Sequence, residues 1–454
     1  MPKKKTALTI EERLQQALVP AEEQPYDVPE NWVWVRLGDL YEVNPKNKAD
    51  DELDAAFIPM EKISAGMISE YSFEIQEWCK AKKGHTQFAD GDVAFAKISP
   101  CFENRKSMML NNLPNSIGGG TTELIILRNV KVNQKYTFWT VLDERFIRGG
   151  VQTYSGTVGQ QRINMDYVRA YPIPLPPLSE QQRIVERIEE LFAKLDEAKE
   201  RLQEVADSFA VRKAAILHKA FTGELTKQWR RENGVSDESW KEISLKDLCS
   251  AIGDGLHGTP VYYDNGDYYF INGNNFDENS IVIKETTKKV SVEEYKKYAV
   301  DLNDSTVFLS INGTLGKTAF YNGEQVILGK SACYINVGEN LNKSFLKNLF
   351  HTNAFINYAN QKATGSTIKN LGLKAIRAYL INLPSLPEQH EIVRLIDDLL
   401  ARERSAQQAA EQALASIELM KKSILARAFR GELGTNKASE ASAVELLKQV
   451  LAEN

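Results

Sequence analysis

The sequence has few cysteines and no long apolar run. Its four cysteines lie far apart, which excludes a Cys-x-x-Cys metal or redox motif and gives no disulfide framework. No apolar run reaches the roughly 18 residues that a membrane span requires, and the Met-Pro-Lys-Lys-Lys start lacks the apolar core of a signal peptide. Together, these absences predict a cytoplasmic protein.

Catalytic and metal-binding motifs are also absent from the sequence. Residues 313–318 resemble the end of a phosphate-binding loop, but Ile311 stands where the leading glycine belongs. The five histidines show no metal-ligand spacing. The sequence therefore predicts a chain without catalytic residues and without a metal site.

The chain is long enough for several folded domains. Its 454 residues are 43% hydrophobic and 26% charged, a composition that can build sizeable cores and suits two or three domains. The formal net charge of −5 argues mildly against a nucleic-acid-binding protein when it is averaged over the chain. The cations are unevenly distributed, however, because no acidic residue occurs between Leu341 and Pro387.

The two halves of the sequence repeat each other. An offset of 208 residues relates Leu178–Val185 to Leu386–Val393, Ala220–Leu225 to Ala428–Leu433, and Trp32 to Trp240. Between these anchors the halves diverge, which predicts two similar scaffolds that present two different recognition surfaces. The alternative is an old duplication that is retained for stability alone.

The segments that stay alike have the apolar heptad spacing of long helices. Each helix is about 40 residues, or roughly 60 Å, long, and its narrow apolar stripe requires a partner. We predict that the two helices pair in an antiparallel arrangement, with large side chains of the first against small alanines of the second. Alternatively, each helix packs on its own domain or on another protein. The predicted seam comprises Ile184, Ile188, Leu191, Leu202, Val205, Phe209, Ile392, Ile396, Leu399, Ala406, Ala410, Ala413 and Ile417.

The divergent segments are each one domain in size and predict a mixed α/β structure. Helices are predicted at 136–145 and 343–360, and the glycine run 118–120 is interpreted as a loop. The predicted strands are Ala56–Pro59, Val93–Ile98, Glu123–Leu127, Tyr268–Ile271, Val307–Ile311 and Ala332–Val337.

The predicted fold class is therefore α+β (mixed). Two similar α/β domains are separated and joined by two long antiparallel coiled-coil helices, with a pseudo-twofold internal repeat. The predicted boundaries are 1–27 for an N-terminal extension, 28–177 for the first domain, 178–226 for the central helix, 227–385 for the second domain, 386–434 for the C-terminal helix and 435–454 for a C-terminal extension.

Each half carries a basic segment rich in Gly, Thr, Gln and Asn just before its long helix, at 155–162 and 364–370. Glycine lets a backbone approach a phosphate, Lys and Arg contact phosphates, and Gln, Asn and Arg can read base edges. A solvated basic loop is the alternative, but the repetition favours binding. The predicted DNA contacts are Lys97, Ser99, Asn104, Arg105, Lys106, Thr121, Thr122, Gln160, Gln161 and Arg162 in the first domain, and Asn272, Asn274, Asn275, Asn312, Thr314, Lys317, Ser366, Thr367, Lys369 and Asn370 in the second.

This arrangement resembles the specificity subunits of type I restriction–modification systems. The resemblance covers about residues 28 to 434, and its most specific marks are Pro176–Val185, its copy Pro384–Val393, and the two Ala-Phe-x-Gly-Glu-Leu endings. It implies two target-recognition domains that each read one half of a split, asymmetric DNA sequence. It further implies that the paired helices set the spacer between the half-sites, and that the ends of the chain complete the second conserved region.

The resemblance also implies partners for the chain. Two modification subunits would carry an adenine methyltransferase with S-adenosylmethionine, and restriction subunits would add translocation and cleavage that use ATP and magnesium. The chain itself would be non-catalytic and would bind no cofactor. One rival hypothesis is a stand-alone DNA methyltransferase or nuclease with fused recognition domains, and another is a purely structural coiled-coil protein without DNA affinity.

Overall fold

The computed structural model describes residues 9–453, and the chain divides into two compact units. Unit 1 is formed by residues up to 201 together with those from 413 onward, and unit 2 by residues 202–412. Each unit therefore contains one of the predicted recognition domains and part of each long helix. The first eight residues of the predicted N-terminal extension lie outside the described residues.

The helices are short within the recognition domains and long between them. They are α1 (Ile10–Ala17), α2 (Leu37–Leu40), α3 (Trp78–Ala81), α4 (Gln134–Leu142), α5 (Glu144–Gln152), α6 (Met165–Ala170), α7 (Leu178–Asp207), α8 (Phe209–Phe221), α9 (Lys227–Glu232), α10 (Leu245–Leu248), α11 (Val292–Tyr298), α12 (Lys343–Phe350), α13 (Asn353–Lys362), α14 (Leu373–Arg377), α15 (Leu386–Phe429) and α16 (Val444–Glu453).

The strands are short and belong to several small sheets. They are β1 (Val33–Arg36), β2 (Glu42–Val43), β3 (Asp54–Ile58), β4 (Glu74–Glu77), β5 (Thr86–Ala89), β6 (Val93–Ala96), β7 (Ser107–Met109), β8 (Ile117–Gly120), β9 (Leu124–Arg128), β10 (Pro172–Leu175), β11 (Lys241–Ser244), β12 (Cys249–Asp254), β13 (Tyr268–Ile271), β14 (Phe276–Asp277), β15 (Ser280–Ile281), β16 (Lys289–Val290), β17 (Thr306–Ser310), β18 (Thr318–Phe320), β19 (Val326–Leu328), β20 (Ala332–Val337) and β21 (Leu380–Leu383).

The sheets of the two units have matching topologies. In unit 1 the strand orders are β2-β9-β6-β7 and β4-β3-β8-β5, and in unit 2 they are β12-β20-β17-β18 and β16-β13-β19. In each unit the second sheet contains one parallel pair, β3 with β8 or β13 with β19. A two-stranded antiparallel ribbon, β1 with β10 or β11 with β21, closes each domain next to its long helix. The predicted duplication of a mixed fold is confirmed.

The predicted strands are all present, two of them with the predicted bounds and the other four within two residues at each end. The two predicted domain helices are each divided in two, into α4 and α5 in unit 1 and α12 and α13 in unit 2. Asp143 accepts from the Arg145 backbone and starts α5, while Thr352 accepts from the Phe355 backbone and starts α13. A side-chain cap inside each predicted helix therefore ends the first helix and begins a second one in a new direction.

The interpretation of residues 118–120 as a loop was wrong, because they form most of the central strand β8. A Cβ atom on Gly119 would lie 2.0 Å from the carbonyl oxygen of Ala81 on α3, and one on Gly118 would lie 2.2 Å from the Phe88 ring. The run of glycines thus allows α3 and the neighbouring strand to pack directly on the backbone of β8.

The long helices are antiparallel within each unit. In unit 1, Asp196 of α7 pairs with Lys421 of α15 at 2.6 Å, and Lys199 pairs with Glu418 at 4.0 Å. Residue numbers therefore increase along α7 while those of the partners decrease along α15. In unit 2, Arg212 of α8 pairs with Glu403 of α15. The predicted antiparallel pairing is confirmed.

The predicted seam is buried only in part. Ile184, Ile188, Ile392 and Ile396 are fully buried, and Ala410 and Ile417 are 3% exposed. Leu191, Leu202, Phe209, Leu399 and Ala413 are half-buried. The predicted packing of Val205 and Ala406 was wrong, because both residues are exposed. Ion pairs from Arg212 and Lys421 join the middle parts of the helices instead.

The first long helix is also interrupted, whereas α15 is continuous. Ser208 lies between α7 and α8, and its hydroxyl donates to the carbonyl of Val205 at 3.1 Å. The guanidinium of Arg212 donates to the Ser208 hydroxyl and to the same Val205 carbonyl. Side-chain donors that compete for helix carbonyls bend helices. Met420 occupies the position of Arg212 in the second copy and has no such donor.

The repeated Glu-Gln of the helix starts forms a buried anchor in unit 1. Glu180 and Gln181 are both fully buried. The carboxylate of Glu180 accepts from Trp32 Nε1 at 2.7 Å and from Asn436 Nδ2 at 2.9 Å. Gln181 accepts from the backbone N–H of Asn133, the cap of α4, at 2.9 Å. The anchor thus binds both the recognition domain and the chain that follows α15.

Unit 2 contains the same anchor with different partners. Glu388 and Gln389 are fully buried, and Glu388 accepts from Thr226 at 2.7 Å and from Arg230 at 2.8 Å. Gln389 accepts from the backbone N–H of Asn342, the cap of α12, at 2.8 Å. The chain that follows α8 here takes the place that the chain following α15 has in unit 1.

The two ends of the described chain meet in unit 1. Helix α16 packs against α1 and α2, and Arg183 of α7 holds Glu440 through two hydrogen bonds of 2.9 and 2.7 Å. Leu447, Val450 and Leu451 of α16 join the core of the unit. Helices near both ends of the described chain thus share the core of unit 1, while the hypothesis that the ends of the chain complete the second conserved region stays a prediction.

Replacing Leu447 by Ala should lower the free energy of unfolding of unit 1 by about 2–5 kcal/mol, because it leaves a cavity at a fully buried site. Leu419, which is 66% exposed on α15, provides the matched control, and Leu419→Ala should change this free energy by less than about 0.5 kcal/mol. Urea unfolding measures both variants. Equal shifts would show that α16 is not part of the core of unit 1.

A half-buried histidine, His351, lies in unit 2. Thr318 donates its hydroxyl proton to the Glu278 carbonyl, so His351 Nε2 donates to Thr318 Oγ1 at 3.0 Å. Burial, reinforced by the charges of Lys213 and Lys347 and opposed by Glu278, lowers the pKa of His351 from 6.5 to about 4. The unfolded chain therefore binds a proton between these pH values that the folded chain does not bind.

The stability of unit 2 should fall as the pH decreases from 7 to 4, with up to about 3 kcal/mol due to His351. His351→Gln keeps a donor for Thr318 and cannot titrate, so its loss of stability over this range should be smaller. His218→Gln, at an exposed position of α8, should behave like the wild type. Denaturant midpoints at several pH values measure the difference, and parallel curves for the wild type and His351→Gln would contradict the prediction.

Candidate nucleic-acid interface

Both units display a closed loop at the position predicted from the sequence. In unit 1, Ser155 and Arg162 exchange backbone hydrogen bonds of 3.1 and 2.9 Å, and in unit 2 Thr364 and Asn370 do so at 2.9 and 2.8 Å. Gly156 and Gly365, directly after the closing residues, have φ angles of +111° and +92°. Such angles favour glycine and let the chain turn back on itself.

The closed loop of unit 1 is fastened to the segment that follows the buried strand β6. The N–H of Ile163 donates to the Lys97 carbonyl at 3.0 Å, and the N–H of Ser99 donates to the Gln161 carbonyl at 2.8 Å. Three of the predicted DNA contacts, Lys97, Ser99 and Gln161, are thereby brought together with the loop.

The closed loop of unit 2 is fastened in the same way behind strand β17. The N–H of Leu371 donates to the Ile311 carbonyl at 2.8 Å, and the N–H of Gly313 donates to the Lys369 carbonyl at 2.9 Å. These bonds make Asn370 the equivalent of Arg162, with Asn312 beside it. The two units thus share one backbone arrangement but carry different side chains.

The tips of both closed loops lie open to solvent. Thr157, Gln160 and the predicted contacts Ser366 and Thr367 are exposed, and so are two apolar residues, Val158 at 90% and Ile368 at 63%. Residues that neither pack nor pair within the domain are available to a ligand. The loop tips can therefore enter a groove or lie against another surface.

In unit 1 a carboxylate holds the basic residue that closes the loop. Glu123 accepts from Arg162 Nε at 2.9 Å and from Arg162 Nη2 at 2.7 Å. This hydrogen bonding and the negative charge of Glu123 raise the pKa of Arg162. A bidentate pair of this kind fixes the plane of the guanidinium.

In unit 2 a cleft of about 770 Å³ lies beside the closed loop. Asn272, Asn312 and Asn370, all predicted contacts, line it. Its remaining lining residues are Asp254, His257, Ile311, Lys330, Ser331, Ile368, Leu371, Gly372 and Leu373. Amide groups, a lysine, a carboxylate paired with a histidine, and apolar side chains line the cleft, and together they suit a ligand that has polar edges and flat apolar faces.

Hydrogen bonds preorganise two sides of this cleft. The hydroxyl of Ser331 donates to Asn272 Oδ1 at 2.8 Å, and His257 Nε2 lies 2.7 Å from Asp254 Oδ2. Lys330 is exposed at the cleft. The side chains of Asn272 and Asp254 are thus held in place at the cleft.

Several predicted contacts point elsewhere. Arg105 pairs with Glu144 and donates to the Leu142 carbonyl, and its side chain is only 12% exposed. Lys106 donates to the Met60 carbonyl at 2.9 Å, and Asn275 donates to the Val282 carbonyl at 2.9 Å. The structure argues against these three as DNA contacts, because their polar atoms are used inside the domain.

The other predicted contacts lie on loops outside the two closed loops. Asn104, Thr122, Asn274, Thr314 and Lys317 are exposed, and Thr121 is half-buried directly after β8. These positions remain predictions.

Sequence reasoning missed Glu123 in unit 1 and Asp254, His257, Lys330 and Ser331 in unit 2. A signal for one of them, Lys330, was available in the internal repeat. Lys330 and Ser331 directly precede β20, as Thr122 and Glu123 directly precede β9. Applying the prediction that Thr122 contacts DNA to the equivalent position of the second copy would therefore have identified Lys330.

Within residues 9–453, no helix has the length and apolar character needed to span a membrane. The same residues include no cluster of three or more His, Cys, Asp or Glu side chains suited to a metal ion.

Comparison with known proteins gives a consistent result. A family model described as the type I restriction modification DNA specificity domain matches residues 29–207 and again 237–413. The specificity subunit of the type I restriction enzyme EcoAI from Escherichia coli is 41% identical over 182 residues, which is 39% of this chain and 31% of that protein. That of EcoDI, also from Escherichia coli, is 25% identical over 378 residues, or 72% of this chain and 78% of that protein.

The alignments with the first relatives are partial. The chain spans only about a third of the length of the EcoAI subunit and of its EcoEI counterpart, 31% in each case.

Solved structures share the fold. The HsdS subunit from Thermoanaerobacter tengcongensis superposes with a TM-score of 0.66 at 18% identity, covering 90% of this chain and 99% of that one. A structure that addresses complex assembly and conformational transition of the type I R-M system gives 0.65 at 21% identity, covering 90% and 100%. At these identities the likeness shows the fold alone.

Replacing Arg105 by Gln should lower the free energy of unfolding of unit 1 by about 1–3 kcal/mol, because it leaves the Leu142 carbonyl without its donor and removes a largely buried ion pair with Glu144. Arg148→Gln provides a close control, since Arg148 binds the same Glu144 at 2.9 Å but is 77% exposed. Its effect should stay below about 0.5 kcal/mol. Thermal or urea unfolding compares the two variants, and equal effects would contradict an internal role for Arg105.

Proposed function

The chain belongs to the type I restriction–modification DNA specificity family, and we propose that it reads a split, asymmetric DNA sequence with its two recognition domains. The first domain reads one half-site and the second domain reads the other. The family match in both halves of the chain supports this proposal, because each match covers one recognition domain and the start of a long helix.

The observation that carries the proposal is the pair of closed loops. The same backbone hydrogen bonds fasten both loops, but Gln161 and Arg162 of the first domain are replaced by Lys369 and Asn370 in the second. Side chains on a fixed backbone decide which base edges can be read. Two such loops with different side chains favour two different half-sites over a symmetric target.

We further propose that the two long helices set the distance between the half-sites. Helix α15 contains 44 residues, which corresponds to roughly 66 Å. Half-sites that lie one turn of DNA apart are separated by roughly 34 Å. Helix α15 is continuous and contributes residues to both units, and this supports the proposal.

The proposed partners follow from the family. The chain binds two modification subunits, which supply the adenine methyltransferase and S-adenosylmethionine, and restriction subunits, which use ATP and magnesium. The chain itself is non-catalytic and binds no cofactor of its own. Its relatives are named specificity subunits of restriction enzymes, and this supports a recognition role within such a complex.

The proposal is tested by mapping methylated adenines in cells that express the chain with its modification partner. We expect a methylated motif with two separated halves. The double variant Gln160→Ala, Gln161→Ala should relax one half only, and Ser366→Ala, Thr367→Ala should relax the other, since each base contact contributes about 1–3 kcal/mol of discrimination.

Arg148→Gln serves as the control and should leave the motif intact, because Arg148 lies outside the closed loops. A continuous motif, or one in which both double variants relax the same half, would contradict the proposal. Methyl transfer by the purified chain without partners would instead support the rival hypothesis of a stand-alone methyltransferase.

A further inference from the structure

Arg162 is held in place and is still open to a ligand. Two of its N–H groups, on Nε and Nη2, bind Glu123, and Nη1 donates to the Gln160 carbonyl at 2.9 Å. A guanidinium has five N–H donors, so one remains on Nη1 and one on Nη2. The Arg162 side chain is 42% exposed, whereas that of Glu123 is only 21% exposed.

This pair occurs in the first domain only. The backbone bonds of the closed loops place Asn370 where Arg162 lies, and Ser331 directly precedes β20 as Glu123 directly precedes β9. The second domain thus has a neutral amide and a hydroxyl at positions where the first has a cation and a carboxylate. The pair therefore distinguishes the two half-sites rather than serving a need that both domains share.

The chemistry of the pair favours a base edge over a phosphate. A phosphate is attracted by net positive charge, but the carboxylate of Glu123 neutralises Arg162 and would repel a second anion. A base edge is uncharged and requires only aligned donors. Two donors on neighbouring nitrogens match guanine, which presents the acceptors O6 and N7 in the major groove, whereas adenine presents a donor at N6.

We propose that Arg162, positioned by Glu123, reads a guanine in the half-site of the first domain. This inference rests on the proposed function, because it assigns one base of the sequence that the first domain recognises. Glu123 acts as a positioning residue. It holds the guanidinium plane before DNA arrives, which reduces the entropy that is lost on binding.

The test uses the full-length chain with its modification partner and a duplex that carries the mapped sequence. Each guanine of the first half-site is replaced in turn by 7-deazaguanine, which lacks the N7 acceptor. The wild type should lose roughly 10- to 100-fold in affinity at one position. Arg162→Gln should bind the original and the substituted duplex equally, and Arg162→Lys should also lose the discrimination, because it keeps the charge but not the planar fork.

Glu123→Gln should change DNA binding and its salt dependence in a way that the replacement of a merely structural residue would not. Freeing the charge of Arg162 should strengthen binding to unrelated DNA and should increase the slope of log affinity against log salt by about 1. At the same time, the sensitivity to 7-deazaguanine should decrease. Arg148→Gln should change neither quantity, and thermal unfolding checks that every variant is folded.

The outcomes separate this inference from the proposed function. If the wild type shows no preference for the mapped sequence, the proposed function fails. If it shows the preference but no 7-deazaguanine in the first half-site weakens binding, or if Arg162→Gln keeps the sensitivity, only the guanine contact is overturned. A first half-site without guanine would overturn it as well.

Discussion

The fold depends on a buried Glu-Gln pair at the start of each long helix. A fully buried carboxylate is costly unless it is hydrogen-bonded, and here both Glu180 and Glu388 accept bonds from segments distant in sequence. The start of a helix favours a negative charge. The neighbouring Gln181 and Gln389 bind the cap of a domain helix through its backbone. Each pair therefore joins three parts of its unit at one point: the long helix, the recognition domain and the chain that returns from the other long helix.

This anchor explains why the sequence repeats in some places and diverges in others. The glutamines contact the recognition domains mainly through backbone groups, so a domain can change most of its side chains without losing its attachment. The closed loops follow the same rule, because backbone bonds fasten them and leave their tips free. The sequences of the two halves can thus diverge where side chains face solvent, and they stay alike where the chain contacts the starts of the long helices. The difference between Arg162 and Asn370 is one product of this freedom.

Much of the architecture could be predicted from the sequence, because the spacing of apolar residues and the internal repeat indicate which positions are buried. The strands, the antiparallel helices and the closed loops all follow from such patterns. Features that depend on one partner distant in sequence could not be predicted. The irregular turn at Ser208 involves the side chain of Arg212, the glycines at 118–120 allow the close approach of Ala81, and the inward orientation of Arg105 involves Glu144. Glu123 was missed for the same reason, since no local pattern links it to a residue 39 positions later.

The discontinuity of unit 1 has a consequence for the order in which the protein is made. Unit 2 is one continuous stretch, residues 202–412, whereas unit 1 also needs the residues from 413 onward. During synthesis, the second recognition domain can therefore complete its unit while the first still lacks Leu447, Val450 and the partners of Arg183. The ribosome must add α16 before the core of the earlier domain can close. The part of the chain that is translated first is thus completed last.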